Sequence, residues 1–183
     1  MRSIDIHAHH TPQCCWRATE GTGDWHTPRR EQDARGREYA VAGRRRQQPP
    51  PRTRWTLEEP LADMDSLGVD MHVVSPSPGF YHYDLDAAIT IATSGDCHNE
   101  IHDMITSWPD RFAGLATLPM QDVPAAIAEL ERVILHLGFK GAMINDHVNG
   151  RTFDNPAFLP FKRPSSGKTW NDSWGSKSAT KPS

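Results

Sequence analysis

Short apolar segments alternate with helical ones along most of this chain, and this alternation restricts the fold more than any other feature of the sequence. Helical patterns and capping signals predict helices over residues 57–67, 84–108 and 123–137. This order of elements is typical of a parallel sheet with helices outside it. Two folds remain open: half of an eight-stranded barrel, or a small open α/β sheet. The predicted strands are residues 4–9, 69–74, 112–118 and 139–144.

Local signals predict where the helices begin and end. A capping box starts at Thr56, and Asp84 and Asp122 are placed to cap the second and third helices. Gly68 and Gly138 are expected to end the first and third helices, because glycine readily takes the left-handed conformation at a helix C-terminus.

Residues 11–55 interrupt the alternation with an irregular segment rich in arginine and proline. Between residues 29 and 54 there are nine arginines and three acidic residues, a local charge of +6 against a net charge of −3 for the whole chain. We expect an insertion without fixed structure. A lid that attracts a carboxylated substrate and an RNA-binding arm are alternatives. The few aromatic residues, Tyr39 and Trp55, argue against stacking on bases.

Bulk properties exclude several classes of protein. The chain of 183 residues is long enough for one domain with a core, and its net charge of −3 is unlike that of a general nucleic-acid binder. Three cysteines do not form a disulfide framework, and no apolar run is long enough to span a membrane. We therefore expect a cytoplasmic protein. Residues 162–183 are rich in serine and lysine without periodicity, which predicts a disordered tail.

The first predicted strand carries a His-x-His pair, His7 and His9. Strand side chains alternate, so both imidazoles are expected on one side, where they can bind one metal ion. Imidazole suits zinc and neighbouring metals, and a catalytic zinc usually takes three protein ligands and a water. Only two such ligands are evident here. Asp5, His10 or a second chain are candidates for completing the site.

Other polar residues give weaker signals. Asn145 and His147 follow the fourth predicted strand, where a substrate-binding role competes with a solvated turn. His98 and His102 share one face of the second helix, a spacing that also fits a metal site. That helix is expected outside the sheet, so a solvated face is the preferred interpretation.

Three stretches, residues 4–9, 108–122 and 138–156, resemble the amidohydrolase superfamily in order and spacing. They are most similar to the branch of aminocarboxymuconate-semialdehyde decarboxylase and related aromatic-acid decarboxylases. The resemblance implies a TIM barrel about twice as long as this chain. It also implies one divalent metal, usually zinc with manganese as an alternative. His7 and His9 would hold this metal, together with a histidine and an aspartate from later strands.

On this resemblance, residues 1–161 are the N-terminal part of an amidohydrolase-like barrel of about four strands, followed by a tail that the family lacks. No histidine occurs after His147, so the later metal ligands and the catalytic residues cannot be assigned, and we expect a truncated chain. The implied activity is decarboxylation of a small carboxylated aromatic or ring-derived substrate. A metal-dependent hydrolase and a non-catalytic remnant are alternatives. Half a barrel has two open sheet edges, which favours a homo-oligomer.

Overall fold

A computed structural model describes residues 2–12, 29–42, 45–47 and 58–162 of the chain. Strands and helices alternate over most of these residues, and two short 3-10 helices lie at Pro78–Phe80 and Pro156–Phe158. In chain order the elements are β1 (Ile4–His10), β2 (Arg29–Gln32), β3 (Glu38–Ala42), β4 (Arg45–Gln47), α1 (Glu58–Leu67), β5 (Met71–Pro76), α2 (Ala87–Ser107), β6 (Phe112–Ala116), α3 (Val123–His136), β7 (Gly141–Ala142), β8 (His147–Val148), β9 (Arg151–Thr152) and α4 (Leu159–Lys162).

Four strands form the main sheet in the order β1-β5-β6-β7, and every neighbouring pair is parallel. The predicted α/β class with a parallel sheet is therefore confirmed. β7 is shorter than the predicted strand at 139–144, although residues on both sides of it still pair with β6. Lys140 donates its amide hydrogen to Gly114 at 2.9 Å, and Met143 donates to Ala116 at 2.7 Å.

The core lies between this sheet and the helices. Apolar side chains from the sheet, from α2 and from α3 meet there, because each element has one apolar face that must be buried. Gly114 on β6 allows close packing, since a Cβ there would lie 3.1 Å from Ile101 and 3.2 Å from Phe139. The buried cluster includes Met64, Val74, Ile101, Met104, Phe112, Leu118, Leu130, Val133, Phe139 and Phe158.

Helix boundaries follow the local signals with one correction. Gly68 and Gly138 end α1 and α3 with φ values of 67° and 73°, and Asp122 caps α3 by accepting the Ala125 amide hydrogen at 3.0 Å. Asp84 is not the cap of α2, because it lies in a turn closed by a bond from the Leu85 amide to the His82 carbonyl. Asp86 caps that helix instead. The Thr56 capping box lies outside the described residues.

The Asp122 cap gives the first testable prediction. Asp122→Ala should lower the free energy of unfolding by about 1 kcal/mol, because it leaves an amide group in the first turn of α3 without its acceptor. Chemical denaturation measures the change. Asp122→Asn is the control, since asparagine caps about as well as aspartate. Equal losses in both variants would contradict a capping role.

The arginine-rich segment differs from the expected irregular insertion. In its described part, β2, β3 and β4 form a three-stranded antiparallel sheet. Asp33 holds the turn between β2 and β3, where Arg37 donates from Nε to Asp33 Oδ2 at 2.8 Å. Strand pairing thus gives regular structure where the local sequence indicated none. The remainder of this segment and the predicted tail, apart from Lys162, lie outside the described residues.

Across the described ranges, no helix is both long enough and apolar enough to cross a membrane.

Candidate functional site

The carboxyl ends of β1 and β5 bring His9 beside Ser75, its partner in the parallel register. Opposite Val73, β1 carries two residues, Ile6 and His7, so the strand has a β-bulge at this point. Asp5 supports the bulge, because its Oδ1 accepts the His7 amide hydrogen at 2.9 Å. Bulges of this kind change the direction of side chains beside functional sites. In (β/α) barrels, the edge at the carboxyl ends of the strands is the one that carries the chemistry.

His7 and His9 lie together at this edge. Their ring centroids are 4.6 Å apart, and the ring planes meet at 74°. The two imidazoles therefore lie close enough to be considered as ligands of one ion, as the strand alternation suggested. Burial lowers the pKa of His9, and the neighbouring His7 lowers it further. The neutral imidazole that results is the form that binds metals.

His9 is held by a short chain of polar contacts. Its Nδ1 lies 3.1 Å from the hydroxyl oxygen of Ser75, and that hydroxyl lies 3.3 Å from the sulfur of Met143. Ser75 is completely buried. Sequence reasoning missed both partners. The only available signal was a small polar residue, Ser75, at the end of an apolar strand.

Asp5 and His10, the other candidate donors on β1, are engaged elsewhere. His10 Nε2 lies 2.8 Å from Glu100 Oε1 on α2, on the helical side of the sheet. Asp5 Oδ2 lies 3.7 Å from Nε2 of His72 on β5. Neither therefore completes a site with His7 and His9. Within the part of the chain that the structure describes, no group of three or more His, Cys, Asp or Glu residues could hold a metal ion.

Asn145 and His147 follow β7, as predicted, but they differ in exposure. Asn145 is half-buried, whereas His147 is exposed and its Nδ1 lies 2.6 Å from Asp146 Oδ1. β8 and β9 form a hairpin whose two turn residues, Asn149 and Gly150, both have positive φ. Among the described contacts, no hydrogen bond or ion pair joins Asn145 or His147 to the His7–His9 pair.

The shared face of His98 and His102 is not solvated, so that interpretation is wrong. His98 is completely buried, and its Nδ1 lies 2.5 Å from Glu129 Oε1 on α3. Its Nε2 accepts the amide hydrogen of Thr117, just after β6, at 3.0 Å. His102 Nδ1 lies 3.1 Å from the carbonyl oxygen of Leu137. Both histidines connect α2 to neighbouring elements instead of facing water.

Sequence comparison identifies relatives for most of the chain. The sequence profile of the amidohydrolase family matches residues 4–164. The chain is 31% identical over 106 residues to 2-amino-3-carboxymuconate-6-semialdehyde decarboxylase from Dictyostelium discoideum, covering 58% of this chain and 30% of that protein. It is 32% identical over 93 residues to 2-keto-4-carboxy-3-hexenedioate hydratase from a Sphingobium strain, covering 49% of this chain and 27% of that protein. The matches thus span about a third or less of these relatives.

Solved structures share the fold. The 5-carboxyvanillate decarboxylase of Sphingomonas paucimobilis superposes with a TM-score of 0.64 at 27% identity, covering 87% of this chain and 47% of that chain. A 5-carboxyvanillate decarboxylase of Novosphingobium aromaticivorans superposes with a TM-score of 0.60 at 24% identity, covering 87% and 46%. That structure contains manganese and 4-hydroxy-3-methoxy-5-nitrobenzoic acid. The predicted fold, an incomplete TIM-like barrel of about four strands, is confirmed.

Proposed function

This chain belongs to the amidohydrolase family, and from that membership we propose that it supplies the first four strands and two metal ligands of a decarboxylase. The proposed substrate is a small carboxylated aromatic or ring-derived acid. One observation carries the proposal: the ring centroids of His7 and His9 lie 4.6 Å apart at the carboxyl end of β1. The decarboxylases among the similar proteins favour this chemistry over hydrolysis.

We propose that His7 and His9 hold one divalent metal. The donor set fits such an ion, because two neighbouring imidazoles are available and Ser75 contacts Nδ1 of His9, which leaves Nε2 for the metal. A bound divalent metal would polarise a substrate carboxylate and lower the pKa of its water. Imidazole nitrogens suit zinc, while the manganese in the Novosphingobium enzyme supports manganese as the alternative. The remaining ligands would lie outside the described residues or in another chain.

Substrate binding by the loop after β7 is part of the same proposal. Asn145 is half-buried and its side-chain amide can donate to a carboxylate, while the exposed His147 follows it in the same loop. We also propose that two copies of the chain associate through β1. β1 is an edge strand of the main sheet, and its residues Ile4 and Ile6 are 51% and 70% exposed.

The similarity to a hydratase favours a second candidate function, the addition of water to a carboxylated substrate. The same pair of imidazoles would serve it, since a divalent ion held by them would activate water for addition. Product analysis separates the two functions, because only decarboxylation releases carbon dioxide. The hydrolase and the non-catalytic remnant remain further alternatives.

Metal content tests the proposal. Purified wild-type chain should contain close to one zinc or manganese ion per chain, and the His7→Ala/His9→Ala double variant should contain almost none. His136→Ala is the control, because it removes an exposed histidine from the end of α3. Elemental analysis after dialysis measures all three proteins. A metal-free wild type, or an unchanged metal content in the double variant, would contradict the proposal for this chain.

A further inference from the structure

We propose that Ser75 and Met143 are positioning residues that hold His9 in the tautomer whose Nε2 is free to bind a metal ion. The inference deepens the proposed function and rests on it for the identity of the ligand. It assigns roles to two residues that carry no metal themselves.

The three residues come from separate segments of the sheet. His9 and Ser75 are neighbours across the β1–β5 ladder, and Met143 follows β7 directly. In a barrel, alternate strands contribute side chains to the same interior layer, which explains how Met143 reaches Ser75 past β6. The contacts are 3.1 Å from His9 Nδ1 to Ser75 Oγ and 3.3 Å from Ser75 Oγ to Met143 Sδ. Ser75 is completely buried, so bulk water does not compete for its hydroxyl.

The chemistry of the three groups sets the direction of the hydrogen bonds. A thioether only accepts a hydrogen bond, and a serine hydroxyl has one hydrogen to donate. When Ser75 donates that hydrogen to Met143, it can only accept from His9. Nδ1 of His9 must then carry the proton, and Nε2 has a lone pair. In the opposite arrangement Ser75 donates to Nδ1, the proton lies on Nε2, and the neutral ring cannot offer Nε2 to a metal.

Met143 therefore decides between the two tautomers, although it does not contact the imidazole in this chain of bonds. Leucine has a similar volume but no acceptor. In Met143→Leu the Ser75 hydroxyl loses its alternative acceptor and is free to turn toward Nδ1. We expect the tautomer of His9 to shift toward the form protonated at Nε2.

The tautomer can be measured without a metal. Long-range proton–nitrogen NMR spectra of the metal-free full chain at about pH 8 distinguish the protonated ring nitrogen, and His9→Ala identifies the signals of His9. The wild type should be protonated mainly at Nδ1, whereas Ser75→Ala and Met143→Leu should show a larger Nε2-protonated fraction. Ser94→Ala is the matched control, because Ser94 is also completely buried and its hydroxyl has no partner among the described residues. Ser75→Thr retains the hydroxyl and should preserve the wild-type spectrum.

Affinity for manganese alone is the second measurement. Loss of an outer partner of a metal-bound histidine typically weakens binding about 10- to 100-fold, and we expect a loss in this range for Ser75→Ala and none for Ser94→Ala. An Nε2-protonated His9 in the wild type, or unchanged spectra in Ser75→Ala and Met143→Leu, would overturn the inference. If Ser75→Ala does not fold, the NMR spectrum of Met143→Leu alone tests the positioning role. If the wild type binds no manganese, the proposed function fails, while the spectra still decide the positioning role.

Discussion

Replacement of His98 by alanine is expected to lower the free energy of unfolding by about 3 to 5 kcal/mol, a large part of the stability of a typical domain. The imidazole is completely buried, so its removal leaves a cavity between α2, α3 and β6. The amide of Thr117 loses its acceptor, and Glu129 loses one donor. The ring of Phe139, whose centroid is 5.5 Å from that of His98, loses an edge contact.

His102→Ala is the matched control for this result. It changes the same residue type one helical turn later, but His102 is only partly buried and makes a single hydrogen bond to a carbonyl oxygen. We expect it to cost about 1 kcal/mol. Urea denaturation of both variants measures the difference. Similar losses in the two variants would mean that the contacts of His98 with Thr117 and Glu129 contribute little to stability.

Acid is expected to destabilise the fold in two stages, the second of which involves Glu129. Burial alone would raise the pKa of this carboxyl, but hydrogen bonds from Arg132 and His98 outweigh burial and lower the pKa from 4.5 to about 2. Arg132 donates to both carboxylate oxygens at 2.8 Å. The unfolded chain therefore binds this proton first as the pH falls. The stability due to Glu129 is present above pH 4.5 and is lost progressively as the pH falls toward 2.

The first stage involves His98. Burial lowers its pKa below 6.5, so the folded state keeps the ring neutral while the unfolded chain takes up a proton as the pH falls below that value. Protonation would also place an N–H group of the ring against the Thr117 amide. The free energy of unfolding should thus be greatest above about pH 6.5, fall first below that value because of His98, and fall again below pH 4.5 because of Glu129.

Unfolding free energies measured between pH 8 and pH 3 test this dependence. Glu129→Gln should lower stability at neutral pH and flatten the decline below pH 4.5, because the side chain no longer titrates. Glu131→Gln makes the same chemical change at an exposed position of α3 and serves as the control. A decline in Glu129→Gln as steep as in the wild type would show that other groups cause the acid sensitivity.

Much of the fold could be predicted because its signals are local. The Asp122 cap and the glycines that end α1 and α3 depend on residues within one helical turn, and the sequence places them correctly. The Asp84 error shows the limit of such signals. Two aspartates lie two residues apart, and the turn that begins at His82 decides that Asp86 is the cap.

The sequence by itself determined the order of the main-sheet strands and the helices between them, and the parallel sheet that they form, because periodicity and capping are properties of neighbouring residues. Only the tertiary structure decided which side chains contact one another between these elements. His98 meets Glu129 across 31 residues, and Ser75 meets Met143 across 68. The tertiary structure alone also decided the strand pairing in β2–β4 and the bulge at His7. The physical reason is that strand register and helix packing set such contacts, and a pattern of apolar residues carries no information about register between distant segments.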